Sequence, residues 1–253
     1  HLPQFAAAGL TAIELTYYWP GQDFEAERPG AISRLRAVAQ DLGIRIASLH
    51  PPDRGLLHDL SGTVQMDVLK RAADWAAELD AATISTHAGF RMPVGGEERD
   101  RALDRLDRSI DELAGYAAGM PVVFCLETLS GTPDCLSNAD LIDRVRARSP
   151  AAIGVVLDTG HAHIAGDLMT LPERAGRRLQ SLHLHDNDGT HDQHRFPGQG
   201  TIDWPAFMDR LDRCGYEGPL LLEVESRTTP LAETLNLCRP VFALLDAGSR
   251  SRR

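Results

Sequence analysis

Residues 181–200, SLHLHDNDGTHDQHRFPGQG, lie between two apolar runs and gather His183, His185, His191 and His194 with Asp186, Asp188 and Asp192. Carboxylates alone suit magnesium or calcium, whereas imidazoles mixed with carboxylates select a divalent transition metal. Residues of the same two kinds recur near the ends of other apolar runs. His50 ends IRIASLH, His87 lies in AATISTHAG, Glu127 in PVVFCLET, Asp158 in IGVVLDTGH and Glu223 in PLLLEVES. His161 follows Asp158 by three positions, on a turn entering a helix, so both side chains can reach one cavity. Asp192 and His194 have the D-x-H spacing of two ligands on one extended loop.

The elements that must position these residues follow from hydrophobic periodicity. Seven short apolar runs recur at 11–15, 44–50, 81–89, 121–128, 153–161, 179–186 and 219–226, and helical spacing fills the stretches between them. The clearest helix is 61–80. Asp67, Lys70 or Arg71, Asp74 and Glu78 mark its polar face, Val64, Val68, Leu69, Ala72, Trp75 and Leu79 its buried face, and Ser61 is placed to cap it. Regular strand–helix alternation predicts parallel βα units. The turns from helix to strand are short (41–43, 119–121, 214–219), and the loops from strand to helix are long (16–30, 51–60, 89–97, 186–202). That asymmetry predicts an α/β (β/α)8 TIM barrel with its site at the C-terminal face of the strands. One domain is expected over 1–246, with a disordered tail at 247–253. The opening HLPQFAAAGL reads as a helix closed by Gly9, so the first barrel strand is expected to lie outside this chain.

Side chains alternate between the barrel interior and the helix layer. In PVVFCLE, bulky Val122, Phe124 and Leu126 belong to the helix layer, so Val123, Cys125 and Glu127 point inward. The same rule turns His50, His87, Asp158, His183 and Glu223 inward. Burying even one unpaired carboxylate costs several kcal/mol, to order of magnitude. Lys70 is the sole lysine of the chain. Three carboxylates converging with three imidazoles therefore call for a cation. The net charge of −10 and the absence of a basic cluster argue against nucleic acid as a partner. Cys125, Cys135, Cys214 and Cys238 form no CxxC pair, which suits reduced thiols and a cytoplasmic protein. No apolar run approaches the roughly 20 residues of a membrane span.

On ASLHPP, STHAG, CLET, VVLDTGHAHIAGD, LHLHDND, DQHRFPGQGTIDW and LLLEVES, the chain resembles the xylose isomerase-like TIM barrels. More narrowly, it resembles the sugar-phosphate isomerase/epimerase group that includes endonuclease IV-like enzymes. By position, the resemblance to the endonuclease IV branch implies a zinc ion on His50, His87 and Glu127. A second ion would lie on Glu127, Asp158, His183 and Glu223, and a third on His161, Asp192 and His194. The ketose 3-epimerase branch implies one manganese-type ion on Glu127, Asp158, His183 and Glu223, with Glu127 and Glu223 as the proton-moving pair. That branch carries an arginine three residues before the Pro-Gly turn; here His194 stands there, with Arg195 beside it. The cofactor expected is thus Zn2+ or Mn2+, one to three ions.

Around this cage, Glu14, His161 and Arg195 are expected to touch substrate, and Asp186 to orient His183 from behind. His185, Asp188 and His191 are expected on the loop surface. The leading functional expectation is a metal-dependent isomerase or epimerase of a small sugar or polyol derivative, with a homo-oligomer as one possible assembly. The alternative is a zinc-dependent phosphoester hydrolase of endonuclease IV type. A third reading is a non-catalytic barrel that keeps a structural metal or senses a sugar.

Overall fold

The computed structural model describes residues 1–16, 26–52, 55–56, 63–89, 93, 95–132, 135–148, 153–224 and 230–248. Seven parallel strands run in sequence order around a nearly closed barrel: β1 (Ala12–Thr16), β2 (Arg45–His50), β3 (Thr83–His87), β4 (Val123–Glu127), β5 (Ile153–Asp158), β6 (Leu179–Leu184) and β7 (Leu221–Leu222). The helices between them are α1 (Leu2–Ala7), α2 (Ala31–Asp41), α3 (Thr63–Glu78), α4 (Gly96–Tyr116), α5 (Asn138–Arg146), α6 (Thr159–Ala165), α7 (Leu171–Ala175), α8 (Trp204–Cys214) and α9 (Leu231–Gly248). This is the TIM-barrel architecture that the alternation predicts, with seven strands among the described residues.

The strand register sets the site. His87 pairs with Glu127, and Asp158 with His183, so the chemical residues end their strands at a common level. Phe124, Leu126, Ile84, Leu157 and Leu182 face the helices and build the main apolar core with Leu69, Leu106, Ile110 and Phe207. The inward positions one layer below the rim are small: Ser48, Ser85, Cys125 and Ser181 are all fully buried.

The opening helix closes as expected. Gly9 takes φ 84°, and Leu10 N–H reaches back to the Phe5 carbonyl, the long-range bond of a Schellman motif. Where a strand preceding α1 would lie, β7 and β1 approach each other with no ladder between them, and a cavity of about 280 Å3 follows that seam. On α3, Asp67, Arg71, Asp74 and Glu78 are exposed as the periodicity predicts. The buried stripe keeps Leu69, Ala72 and Leu79 and adds Met66, Ala73 and Ala76, whereas Val68 and Trp75 are half-buried; the side chain of Val64 lies outside the described residues. Ser61, the segment TYYWPGQDF from Tyr17 onward, most of the loop tips at 51–60 and 89–94, and residues 249–253 of the tail lie outside the described residues. Among the described residues, no helix is long and apolar enough to cross a membrane.

Candidate metal centre

Glu127, at the end of β4, is the hub. Its side chain is only 2% exposed, and its Oε2 stands 3.4 Å from His50 Nε2, 3.3 Å from His87 Nε2 and 3.4 Å from His183 Nδ1. Ligand atoms bound at about 2.0–2.1 Å in a tetrahedron stand about 3.3–3.4 Å apart, so this spacing is that of groups that share an ion. Glu223, just past β7, brings its Oε2 within 3.2 Å of His183 Nδ1. Suitable donor atoms of Glu127, Asp158, His183 and Glu223 all lie within 4.8 Å of one another, as do those of His50, Glu127 and His183.

The hydrogen bonds behind the rings decide what the front faces can do. His50 Nδ1 lies 3.2 Å from the Pro51 carbonyl, His161 Nδ1 2.9 Å from the Thr128 carbonyl and His194 Nδ1 2.9 Å from the Glu223 carbonyl. A carbonyl only accepts, so each Nδ1 carries the proton. In a neutral ring Nε2 is then a lone pair. His50 Nε2 faces Glu127; His161 Nε2 and His194 Nε2 face the Asp192 carboxylate at 3.4 and 3.1 Å. Lone pair against carboxylate is repulsive unless a proton or a cation lies between them. Glu127 Oε2, His183 Nδ1 and Glu223 Oε2 are also buried with no hydrogen-bond partner, a costly arrangement that a shared cation relieves. The donor set fits a divalent cation on this ground.

Proton affinities follow the same pattern. Burial lowers the imidazoles, but the surrounding carboxylates override it: His161 and His183 are raised well above 6.5, and His194 is raised to about 9 by Asp192. Burial raises Glu127 and Asp158, and the imidazoles around them win, holding Glu127 well below the usual range and Asp158 at about 2. A cage this acidic, ringed by this much bound positive charge, is set up to exchange protons for a metal ion.

Asp158 has two further duties. It caps α6 by accepting the His161 N–H at 2.6 Å, which ties the end of β5 to the turn carrying His161. Both of its oxygens lie 3.0 Å from His185 Nε2. The expectation that His185 sits on the loop surface is therefore corrected. It is fully buried, because its ring fills the slot that Gly160 leaves open: a Cβ on Gly160 would stand 1.9 Å from His185 Cε1. His185 also stacks on His194, with ring centroids 4.0 Å apart and planes 12° from parallel. In-plane lone pairs of parallel rings run side by side, so the nearby trio of His185, His194 and Glu223 does not converge on one ion despite its compactness. The signal for His185 was present in the alternation Ser181, His183, His185, which points all three inward.

Asp186 also needs correction. It does not reach behind His183; its carboxylate accepts from Gly198 N, Ile202 N and Trp204 Nε1 at 2.9, 3.2 and 2.9 Å and pins the returning loop. Gly200 is required there, since a Cβ would come 2.2 Å from the Asn187 carbonyl. The position behind His183 belongs to Glu14, whose Oε1 lies 3.0 Å from His183 Nε2. Both Glu14 oxygens bond protein groups, and the residue also lines the cavity at the seam between β1 and β7. Arg195 is exposed, its guanidinium 3.5 Å from the Gln199 carbonyl, while its backbone pairs with Asp186. Asp188 and His191 are exposed on the loop, as expected.

Comparison with known proteins agrees with this architecture. A family model described as xylose isomerase-like TIM barrel matches residues 2–241. The fructoselysine 3-epimerase of Escherichia coli O157:H7 is 28% identical over 78% of this chain and 74% of its own length. A probable endonuclease 4 of Nitratidesulfovibrio vulgaris is 26% identical over 68% of this chain and 67% of its own. A solved L-ribulose 3-epimerase superposes with TM-score 0.78 at 20% identity, over 100% of this chain and 92% of that one, which shows the fold. The chain spans 58% and 56% of the length of two uncharacterized relatives, y4fM of Sinorhizobium fredii (30% identical over 70% of this chain) and MJ1311 of Methanocaldococcus jannaschii (24% over 62%).

Proposed function

Starting from a chain that belongs to the xylose isomerase-like TIM barrel family, we propose that it is a metal-dependent isomerase or epimerase of a small sugar or sugar derivative. Glu127, Asp158, His183 and Glu223 would hold the principal ion, Zn2+ or Mn2+. His50 and His87 flank Glu127, and His161, Asp192 and His194 form the neighbouring group, so the cage has donors for one to three ions. A cation bound there supplies Lewis acidity toward a substrate carbonyl and its adjacent hydroxyl, which acidifies the intervening C–H.

The remaining work falls to the chain's own carboxylates. Glu127 is buried and held ionised by the imidazoles around it, so it is ready to accept a proton. Glu223 is 37% exposed and brings its Oε2 to the same His183 nitrogen, Nδ1, that Glu127 Oε2 faces. With substrate lying between them, one would take the proton from the C–H and the other would return it. Names of relatives that act on ketoses and their derivatives support a sugar substrate. The observation that carries the reading is the pair of buried, unpartnered carboxylate oxygens of Glu127 and Glu223 facing one imidazole nitrogen. The test is deuterium wash-in. Metal-loaded protein incubated with a panel of ketoses and keto-sugar derivatives in D2O should label a substrate carbon next to the carbonyl. A panel left unlabelled at full metal occupancy would reject the proposal.

A hydrolytic reading has one observation in its favour: Asp192 Oδ2 stands between His161 and His194, which gives the clustered-metal arrangement a third set of donors. The −10 charge opposes a DNA substrate. Zinc-dependent nicking of abasic-site DNA at physiological salt would favour hydrolysis over epimerisation.

A further inference from the structure

Of the six rim residues, His183 is the one on which both glutamates converge, and the direction of its ring decides whether the principal site exists. Its Nδ1 faces Glu127 and Glu223, while its Nε2 lies 3.0 Å from Glu14 Oε1. Glu14 is itself fixed. Ser48 Oγ donates to Glu14 Oε2 at 2.5 Å and Ser85 Oγ donates to the same oxygen at 3.0 Å. Two hydroxyl protons spent on Oε2 leave Oε1 directed at the imidazole.

Three strands build this clamp. The pairing of β1 with β2 shifts register between Ile13 and Glu14, and this irregularity sets Glu14 opposite Ser48. Ser48 precedes His50 by two residues, and Ser85 precedes His87 by two, so both serines belong to the layer beneath the rim. Register irregularities of this kind re-aim side chains near functional sites. Glu14 therefore approaches His183 from below, on the side away from the open face.

We infer that Glu14, held by Ser48 and Ser85, is a positioning residue: it accepts the Nε2–H of His183, fixes that tautomer and presents the Nδ1 lone pair to the cation. This deepens the reading under Proposed function and rests on it. An anionic acceptor behind a ligating imidazole also raises the basicity of the ring, and losing such a partner costs about 10–100-fold in metal affinity.

The experiment compares wild type with Glu14→Leu and Glu14→Gln, using Zn2+ alone as the probe. Equilibrium dialysis gives affinity, and 15N ring correlations of His183 give its tautomer in the zinc-loaded protein. The wild type should show the Nε2–H tautomer. Glu14→Leu, close in shape and without an acceptor, should lose about 10–100-fold in zinc affinity. Glu14→Gln, whose amide oxygen still accepts, should keep the tautomer and recover most of that loss. Zinc affinity in Glu14→Leu within twofold of wild type would overturn the inference. A raised substrate KM at unchanged zinc affinity would overturn it too, returning Glu14 to direct substrate contact. If Glu14→Leu does not fold, an Nδ1–H tautomer in wild type or in Glu14→Gln overturns it. If wild type holds no zinc, the cation reading fails separately. The tautomer of chelator-treated protein, read at alkaline pH, still decides the role of Glu14.

Discussion

Glu127 touches three imidazoles through one oxygen, so its replacement tests both halves of the proposal at once. Glu127→Gln keeps the shape but removes the charge that holds His50, His87 and His183 around it. Wash-in of deuterium should fall about 10²–10⁴-fold, the range for loss of a positioned acid or base, and metal affinity should fall with it. Single-turnover wash-in at saturating metal separates the two effects; an unchanged rate would remove Glu127 from the chemistry. A pH experiment tests the charge pattern around Asp192. His194 is raised from 6.5 to about 9 by Asp192 and the Glu223 carbonyl, against the effect of burial. A raised imidazole stabilises the fold fully below its unfolded value and loses that contribution as pH rises through its folded value. Chelator-treated protein should therefore lose stability between pH 6.5 and about 9 through this group. Divalent-metal affinity should rise over the same window, because the ion must displace imidazole protons. Thermal unfolding at several pH values, with and without metal, checks both slopes; parallel slopes would contradict the shared site.

At the scale of elements, Gly160 and Asp186 carry sharp expectations. Gly160, in the first turn of α6, leaves the slot for His185. Gly160→Ala should destabilise by about 1–3 kcal/mol through overpacking and weaken metal binding by displacing His185 from Asp158. Denaturant melts together with metal dialysis would show it, and a variant unchanged in both would mean the slot has slack. Asp186→Ala strands the donors of Gly198, Ile202 and Trp204, and should cost more than about 2 kcal/mol. Its expected role behind His183 would instead have shown chiefly as lost metal affinity. These two residues also show where the sequence was legible and where it was not. Period-2 alternation placed His50, His87, Glu127, Asp158, His183 and Glu223 on the correct face, because a strand buried on both sides has no freedom of register. The same alternation pointed His185 inward, but its position in a loop-like stretch rich in polar residues argued otherwise. The Asp186–Arg195 bridge carries the extended backbone past the end of β6, and spacing does not reveal a pairing of that range. Glu14 needed three strands in register and a register shift, so no local pattern could place its carboxylate against His183. Within the apolar run at 219–226, β7 spans only Leu221–Leu222 among the described residues, and on its seam side it has no ladder to extend it.

For the whole molecule, the cage joins the ends of strands spread around the barrel, from β2 to just past β7, so an ion bound there would be energetically linked to the fold. At free metal about 1,000 times Kd, a single site adds about 4 kcal/mol of stability. In a chain of this size that corresponds to a rise in Tm of about 8–16 °C over chelator-treated protein. The acidic surface, −10 overall, admits cations readily and disfavours polyanions. The barrel was legible as a whole because strand–helix alternation and loop asymmetry are repeated along the entire chain, whereas the long strand-to-helix loops carry no comparable periodic signal. The most direct measurement is the number of divalent metal ions retained per chain after dialysis, by elemental analysis of wild type and of His183→Ala. The account predicts at least one Zn2+ or Mn2+ ion per wild-type chain, with occupancy of the principal site lost in the variant. A wild type that retains no ion, or a variant that retains as much as wild type, would contradict it.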